Sequence, residues 1–127
     1  MFGIMKLVQN LENGRSENEF KLSARRVIEL ATIEGARALG LAERTGSLKR
    51  GKRADLITVS TRDINIGPFT EPATMLVDSA QGWNVDTVIV DGRILKWSGK
   101  LTAIDVGHLM EQVSAATSAI KERANWQ

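Results

Sequence analysis

A helix-to-strand junction between Thr32 and Ser60 is the feature of this sequence that most restricts its fold. Gly40 follows a short apolar helical run, where a left-handed residue would end the helix and let Leu41 fold back. Thr32 can cap that helix by accepting a hydrogen bond from an amide of its first turn. Residues 55–60 alternate in the manner of a β-strand. The junction therefore predicts a chain that contains both helices and strands.

A β-hairpin is predicted at residues 85–97. Asp91-Gly92 lies between two apolar runs, and this pair is a strong hairpin signal because both central residues of a type I′ turn have positive φ. Residues 98–100 (Ser-Gly-Lys) predict a second turn. Residues 73–78 could form a short helix, whereas residues 80–83 are predicted to be a loop.

Helices are predicted on both sides of the strands. Residues 1–12 have apolar positions at helical spacing, and Asn13-Gly14 is expected to end this helix. Ser23 is a good N-cap for a second helix, which is expected to break and restart at Thr32. Asp105 is expected to cap a long C-terminal helix that packs on a sheet or on a partner. The apolar stripe of that helix consists of Val106, Leu109, Met110, Val113, Ala116 and Ile120.

Two short patterns in the junction match those of a known family. The matching residues are Ala31, Thr32, Gly35, Ala36, Ala38, Leu39, Gly40 and Leu41, followed by Gly46, Ser47, Leu48, Gly51, Lys52, Ala54, Asp55 and Leu56. They resemble the patterns A-T-x-x-G-A-x-A-L-G-L and G-S-L-x-x-G-K-x-A-D-L of the amidohydrolase superfamily. This family contains metal-dependent hydrolases and deaminases, including cytosine-deaminase-like and chlorohydrolase-like enzymes.

Three further segments resemble the same family in the same order. Phe2–Met5 resembles the helix after the last barrel strand, Pro72–Val77 resembles a P-x-x-x-L-V segment, and Asn84–Arg93 resembles a hairpin. The resemblance therefore covers nearly the whole chain. It identifies the chain as the C-terminal portion of such an enzyme.

The resemblance implies an α+β fold with a small antiparallel or mixed β-sheet, which is half of the family's composite β-sandwich. Residues 1–127 are expected to form a single domain, with barrel-derived helices at 1–45, sandwich strands at 46–101 (including the hairpin at 85–97) and the C-terminal helix at 102–124. A complete TIM barrel needs about 250 residues, so none is expected here. Since the family's other sandwich strands come from the N-terminus of the full enzyme, the sheet should have an unpaired edge or an uncovered face.

The resemblance also implies what the parent enzyme does. Such enzymes hydrolyse C–N or C–Cl bonds of amides or heterocycles with a water activated by a divalent metal, such as zinc or iron. Their metal ligands are a His-x-His pair, two further histidines and an aspartate, and none of these maps onto this sequence. No catalytic, cofactor-binding or metal-binding residue is therefore assigned, and the chain alone is expected to be inactive.

Several partners and roles are compatible with this resemblance. The chain would contact a missing barrel domain or form a homo-oligomer, and a small-molecule substrate would bind only to the full-length enzyme. Two alternatives are a stand-alone dimerising interaction module and a non-catalytic subunit that pairs with a separate barrel chain. The three tryptophans are expected to pack on the core or at a domain contact. They are Trp83, Trp97 and Trp126.

Two charged clusters have simpler explanations than a binding site. The run Lys49–Arg53 has no aromatic residue within it for base stacking, so a solvated tight loop is favoured over a phosphate or nucleic-acid contact. In that loop, Gly51 would supply the backbone conformation and Asp55 could bond nearby amides.

His108 is the only histidine. Together with Asp105 and Glu111 it could form a weak metal site on the surface of the helix. We favour the simpler interpretation that His108 is an exposed helical residue without a ligand.

Composition excludes other classes of protein. The net charge of +2 supports no inference of nucleic-acid binding, and the absence of cysteine excludes disulfides and thiolate metal sites. No apolar run approaches the length of about 18 residues that suggests a membrane helix. No signal peptide is visible, and a cytoplasmic location is expected by default.

Overall fold

The computed structural model describes residues 1–126 and shows helices beside a small, open antiparallel sheet. The helices are α1 (Phe2–Arg15), α2 (Ala24–Glu29), α3 (Gly35–Ala38), α4 (Pro72–Thr74) and α5 (Val106–Arg123). Between them lie two π-helical turns, Leu30–Glu34 and Met75–Ser79, and one 3₁₀ turn, Gly82–Asn84. The strands are β1 (Leu56–Val59), β2 (Val85–Val90), β3 (Arg93–Trp97) and β4 (Lys100–Leu101). The predicted α+β class with a long C-terminal helix is confirmed.

The sheet has the order β1-β2-β3-β4 and is antiparallel throughout. Asp91 and Gly92 join β2 to β3 with φ angles of 50° and 77°, as a type I′ turn requires, so the predicted hairpin is confirmed. Ser98 and Gly99 make a similar turn between β3 and β4. Within residues 1–126, β1 pairs only with β2, so its outer edge is open as expected.

The first helix is longer than predicted. It continues through Asn13 and Gly14 to Arg15, so the prediction that this pair ends the helix is wrong. The Asn13 side chain instead organises the loop that follows: its Oδ1 accepts a hydrogen bond from the Leu22 amide at 2.7 Å, and its Nδ2 donates to the Glu19 carbonyl at 2.7 Å. Asparagine can therefore remain helical here while its side chain satisfies loop backbone groups.

The second helical segment begins as predicted and continues where a break was expected. The Ser23 hydroxyl accepts from the Arg26 amide at 3.3 Å and caps α2. The chain does not break at Thr32 but passes through a π-helical turn into α3. The Thr32 hydroxyl is therefore no N-cap; it donates to the Ile28 carbonyl at 2.7 Å, as threonine within a helix often does.

Gly40 ends this helical segment as predicted. Its φ is +69°, and its amide donates to the Arg37 carbonyl at 3.0 Å. The Leu41 amide donates to the Ala36 carbonyl at 2.8 Å. These two bonds form a Schellman motif, which satisfies the last carbonyls of the helix.

The connection between β1 and β2 forms the short helix that the sequence allowed, and it differs from the prediction at residues 82–84. Helix forms at Pro72–Thr74 and continues as a π-helical turn, and Glu71 caps it by accepting from the Thr74 amide at 2.8 Å. The predicted loop at 80–83 is wrong in part, because Gly82–Asn84 is a 3₁₀ turn. The reason is the Asn84 side chain, whose Oδ1 accepts from the Gln81 amide at 2.7 Å.

A core of apolar side chains lies between the helices and the start of β2. Its buried members are Phe2, Met5, Ala24, Val27, Ile66, Ala73, Met75, Val77, Ala80 and Val85. Asn84 is fully buried beside this core. Its Nδ2 donates to Asp63 Oδ2 at 2.8 Å and to Asn65 Oδ1 at 3.0 Å, so the buried amide fastens the loop that carries Ile66 into the core.

Helix α5 extends away from this core, and each of its residues is exposed. The expectation that it packs on the sheet is wrong for residues 1–126, whereas packing on a partner stays a prediction. The three tryptophans are also exposed, so none of them caps this core and a contact with a partner stays a prediction. No helix described for residues 1–126 combines the length and apolarity needed to cross a membrane.

The surface is too large for a compact monomer. The solvent-accessible area is 9821 Å². A compact chain of 13.9 kDa exposes about 6,700 Å². The excess is consistent with helices and an open sheet that are packed on one side only.

At Gly46 the loop backbone passes so close to α3 that only glycine fits. Gly51 has a similar backbone conformation but open space around it, so substitutions at the two glycines form a matched pair. Gly46 has φ +83°, and a Cβ there would lie 2.7 Å from Ala36 Cβ. Gly51 has φ +88° and open space around the same position. Gly51→Ala should therefore lower the free energy of unfolding by about 1 kcal/mol through backbone strain, and Gly46→Ala by about 3 kcal/mol through strain plus overpacking.

Urea unfolding followed by far-ultraviolet circular dichroism measures both variants. Equal losses for Gly46→Ala and Gly51→Ala would contradict the close approach of the junction to α3.

Candidate functional site

The ammonium group of Lys52 organises the loop before β1. Its Nζ donates to Ser47 Oγ at 2.8 Å, to the Thr45 carbonyl at 3.2 Å and to the Ala42 carbonyl. The half-buried lysine thus lies at the centre of a loop that turns back from α3. Because its donors are used by this loop, Lys52 is a structural residue rather than a free cation.

The Asp55 carboxylate connects the same loop to the β-hairpin. Its Oδ2 accepts from the Thr45 hydroxyl at 2.9 Å, and its Oδ1 accepts from the Asp91 amide at 2.6 Å. The Asp91 amide, the Thr45 hydroxyl and the nearby Arg53 guanidinium lower the pKa of Asp55, because all three favour the ionised carboxylate. Asp55 does bond an amide, but it is that of Asp91 in the hairpin turn and not one of its own loop. We call Thr45, Ser47, Lys52 and Asp55 the junction lock.

The basic run lies beside an open cleft of about 550 Å³, which Arg37, Lys49 and Arg50 line together with Glu43. Lys52 points to loop oxygens, and Arg53 lies 3.4 Å from Asp91 in an exposed ion pair. Gly51 has φ +88°, as the tight-loop interpretation requires. The structure therefore gives Gly51 and Lys52 a role in building the loop, whereas the exposed ion pair of Arg53 contributes little stability.

An apolar trough of about 720 Å³ lies between the α2–α3 segment and β1. Leu39, Leu48 and Ile57 line it and are 75%, 79% and 50% exposed. Met1 and Ala31 also line a neighbouring apolar pocket of about 180 Å³, so the two depressions form one surface. Such a contiguous apolar surface is typical of a protein–protein or domain contact.

His108 does not gather a set of metal ligands. Its Nε2 lies 3.0 Å from Gln112 Nε2, and its Nδ1 lies 4.0 Å from a Glu111 carboxylate oxygen. Asp105 is used as the N-cap, since its Oδ1 accepts from the His108 amide at 3.1 Å. Residues 1–126 contain no group of three or more histidine, cysteine, aspartate or glutamate side chains placed so that they could hold a metal ion. The described part of the chain therefore does not fit a zinc site, which needs three or four such ligands.

The similarity to known proteins covers most of this architecture. The model of the amidohydrolase family matches residues 3–95. The chain belongs to the amidohydrolase family. The matched range contains the residues of the junction lock and most of the hairpin.

Curated relatives in this family are deaminases. The 5′-deoxyadenosine deaminase of Methanothermobacter thermautotrophicus is 38% identical over 120 residues, which are 94% of this chain and 28% of that protein. The 5-methylthioadenosine/S-adenosylhomocysteine deaminase of Moorella thermoacetica is 38% identical over 104 residues, which are 82% of this chain and 24% of that protein. The chain thus spans about a quarter of the length of these relatives and corresponds to a C-terminal portion of an amidohydrolase.

Solved structures share the fold. An adenosine deaminase from Xanthomonas campestris, solved with bound zinc, has a TM-score of 0.86 at 26% identity and covers 96% of this chain and 28% of its own. The zinc complex of atrazine chlorohydrolase from Arthrobacter aurescens has a TM-score of 0.79 at 23% identity over 91% of this chain and 26% of its own, which supports the fold alone. A divalent metal in such enzymes agrees with the expectation from the sequence.

The junction lock was only partly visible in the sequence. The sequence predicts the backbone role of Gly51 and a hydrogen-bonding role of Asp55, whereas it does not predict the contacts of the Lys52 ammonium. A lysine that follows a turn glycine, with hydroxyl residues five to seven positions earlier, is the local signal for them. The signal is weak because the distance in space depends on how the loop folds back.

The lowered pKa of Asp55 makes the junction lock sensitive to acid. A carboxylate whose folded pKa is depressed stabilises the fold above its unfolded pKa, near 4, and this contribution is lost as the pH falls through the folded pKa. Asp55→Asn removes the charge. We expect this variant to be less stable than the wild type at pH 7, with the difference in unfolding free energy shrinking below about pH 4.

Urea unfolding at a series of pH values measures this difference, with Glu122→Gln on the exposed helix α5 as the control. Wild-type and Asp55→Asn stabilities that keep a constant difference across the acid range would contradict the assigned role of Asp55.

Proposed function

We propose that this chain forms a non-catalytic wall of a metal-dependent enzyme that deaminates a 5′-substituted adenosine. The observation that carries the proposal is the 38% identity to a 5′-deoxyadenosine deaminase over 94% of the chain. The reaction would replace the adenine amino group with oxygen from water and release ammonia. Deamination is favoured over dechlorination because the chlorohydrolase similarity, at 23% identity, supports the fold alone.

The proposed contribution of the chain is structural. Its described residues hold no set of metal ligands, so no step of the reaction is assigned to them. The junction lock would instead fix the loop between α3 and β1 relative to the hairpin, because Asp55 bonds to Thr45 and to the turn at Asp91. The apolar trough would then present its exposed leucines to the rest of the amidohydrolase scaffold.

The partner in this proposal is the remaining part of an amidohydrolase, either in one polypeptide or as a separate chain. A stand-alone dimerising module is the second candidate, and the large exposed area of 9821 Å² favours it equally. The cytoplasmic location expected from the sequence stays a prediction.

A chimera tests the proposed function. Residues 1–127 would replace the matching portion of the Methanothermobacter thermautotrophicus enzyme, and deamination of 5′-deoxyadenosine would be followed by ammonia release. We expect the chimera to be active because the chain supplies the same fold elements, and we expect the isolated chain to be inactive. Ammonia release by the purified chain alone, lost upon chelation, would contradict its non-catalytic role.

Two variants of the chimera test whether the trough is the contact. Leu48→Asp places a charge in the trough, whereas Ile64→Asp places one at a fully exposed apolar position outside it. Leu48→Asp should lower kcat/KM by about tenfold or more, because an unpaired charge at a buried contact costs at least 1–2 kcal/mol. Ile64→Asp should have little effect. A folded but inactive wild-type chimera, or equal losses in the two variants, would contradict the proposal.

A further inference from the structure

Asn13-Gly14 is the only asparagine–glycine pair in the sequence. An asparagine loses its side-chain amide when the backbone nitrogen of the next residue attacks its Cγ, and glycine permits this attack because it has no side chain to hinder it. Both residues lie in the last turn of α1 instead of in the turn that such a pair predicts. The fold thus holds a chemically reactive pair in helical form.

Three hydrogen bonds hold the Asn13 side chain against the loop between α1 and α2. Its Nδ2 donates to the Glu19 carbonyl at 2.7 Å and to the Leu22 carbonyl at 3.4 Å, and its Oδ1 accepts from the Leu22 amide at 2.7 Å. A helical backbone also directs the Gly14 N–H toward the preceding turn, away from the Asn13 Cγ. Attack on Cγ therefore requires that the end of α1 opens and that these bonds break.

The same contact ties the loop to the core. Leu22 packs against the buried apolar side chains, and the next residue, Ser23, caps α2. Asn13 therefore connects the end of the first helix to the start of the second. A change in its side-chain chemistry acts on both.

Loss of the amide would reverse the chemistry of this contact. The asparagine Nδ2 donates to two carbonyls, whereas an ionised carboxylate only accepts. An aspartate at this position could still accept from the Leu22 amide, but its second oxygen would face the Glu19 and Leu22 carbonyl oxygens. Two acceptors would then lose their donor and meet a negative charge, so the loop would no longer close on α1.

We propose that Asn13 is a deamidation site that the folded chain protects, and that its conversion opens the loop at 16–22 irreversibly. The Gly14 nitrogen forms a bond to the Asn13 Cγ, and the bond between Cγ and Nδ2 breaks. Water carries the proton of the Gly14 nitrogen to the leaving Nδ2, which departs as ammonia. A second water opens the succinimide ring at either carbonyl and gives aspartate or isoaspartate. Isoaspartate also lengthens the main chain, which interrupts the helical hydrogen-bond pattern.

This proposal does not depend on the proposed enzymatic function. It concerns a side chain outside the trough and outside the junction lock, and the reaction needs only the chain and water.

Peptide mapping by mass spectrometry measures the conversion in the full chain. Wild-type protein is incubated at mildly alkaline pH, folded in buffer and unfolded in concentrated urea. Asn13 should convert at least about tenfold more slowly in the folded chain, because opening of the end of α1 limits the reaction. Asn18 is the internal control: it lies in the same loop, but the side chain of Glu19 hinders attack, so it should stay largely intact in both samples.

Gly14→Ala tests the role of the Gly14 nitrogen. A Cβ at this position would meet no atom within 4 Å, so the folded structure accommodates the variant. In urea, Asn13 of this variant should convert about tenfold more slowly than in the wild type, because the added methyl group crowds the attacking nitrogen.

Asn13→Asp carries the aspartate product directly and tests its effect on the loop. Asn10→Asp, at an exposed position of the same helix, makes the same change of charge and is the matched control. Cleavage after Lys21 by a lysine-specific protease reports opening of the loop. We expect it to be at least about tenfold faster in Asn13→Asp than in the wild type and unchanged in Asn10→Asp, with circular dichroism to show that both variants fold.

Each part of the proposal has an outcome that overturns it. Equal conversion of Asn13 in the folded and the unfolded chain would overturn protection by the fold. An Asn13 that stays intact in urea, or that converts equally fast in Gly14→Ala, would overturn the site itself. Equal cleavage after Lys21 in Asn13→Asp and Asn10→Asp would overturn the opening of the loop.

Discussion

The hydrogen bonds of Lys52 and Asp55 are the interactions on which the rest of the structure depends. The chain must leave α3, turn back and enter β1, and a loop of this kind leaves carbonyl groups without helical or sheet partners. The Lys52 ammonium satisfies those of Ala42 and Thr45, while Asp55 holds the Thr45 hydroxyl and the amide at the tip of the hairpin. Lys52 thus closes the loop on itself, and Asp55 fastens the loop to the hairpin.

This arrangement explains why the junction combines glycines with a charged pair. Gly46 brings the loop against Ala36 so closely that a Cβ would overlap it, and the left-handed backbone at Gly51 reverses the chain before Lys52. The close approach at Gly46 and the chain reversal at Gly51 together place the Lys52 ammonium within reach of the Ala42 and Thr45 carbonyls. Within the charged run at 49–53, Gly51 and Lys52 are therefore parts of the loop's construction.

The sequence predicted best those features that depend on local backbone chemistry. The turn at Asp91-Gly92, the Gly40 helix end and the Ser23 and Asp105 caps all follow from preferences of a few adjacent residues. The errors occurred where a side chain found a partner farther away. Asn13 looked like a helix terminator but serves the loop at 19–22.

Asn84 and Thr32 show the same limit of local reasoning. The expected loop before β2 is a 3₁₀ turn because Asn84 holds Asp63 and Asn65, some twenty residues away in sequence, and no pattern in the sequence encodes that contact. Thr32 resembled a cap but is located inside a helix, where its hydroxyl returns to a carbonyl one turn earlier. The sequence argued against a metal site more firmly than it located any functional residue, because a chain with one histidine and no cysteine offers few metal ligands.

The exposed apolar surfaces of the chain divide into two kinds that differ in geometry. The trough is concave and irregular, bounded by α2–α3 and β1, so its complement must be a shaped surface such as another part of the same fold. Helix α5 is convex, regular and seven-residue periodic, and its natural complement is a second helix. The two surfaces involve different residues, so a substitution in the trough leaves the apolar face of α5 unchanged.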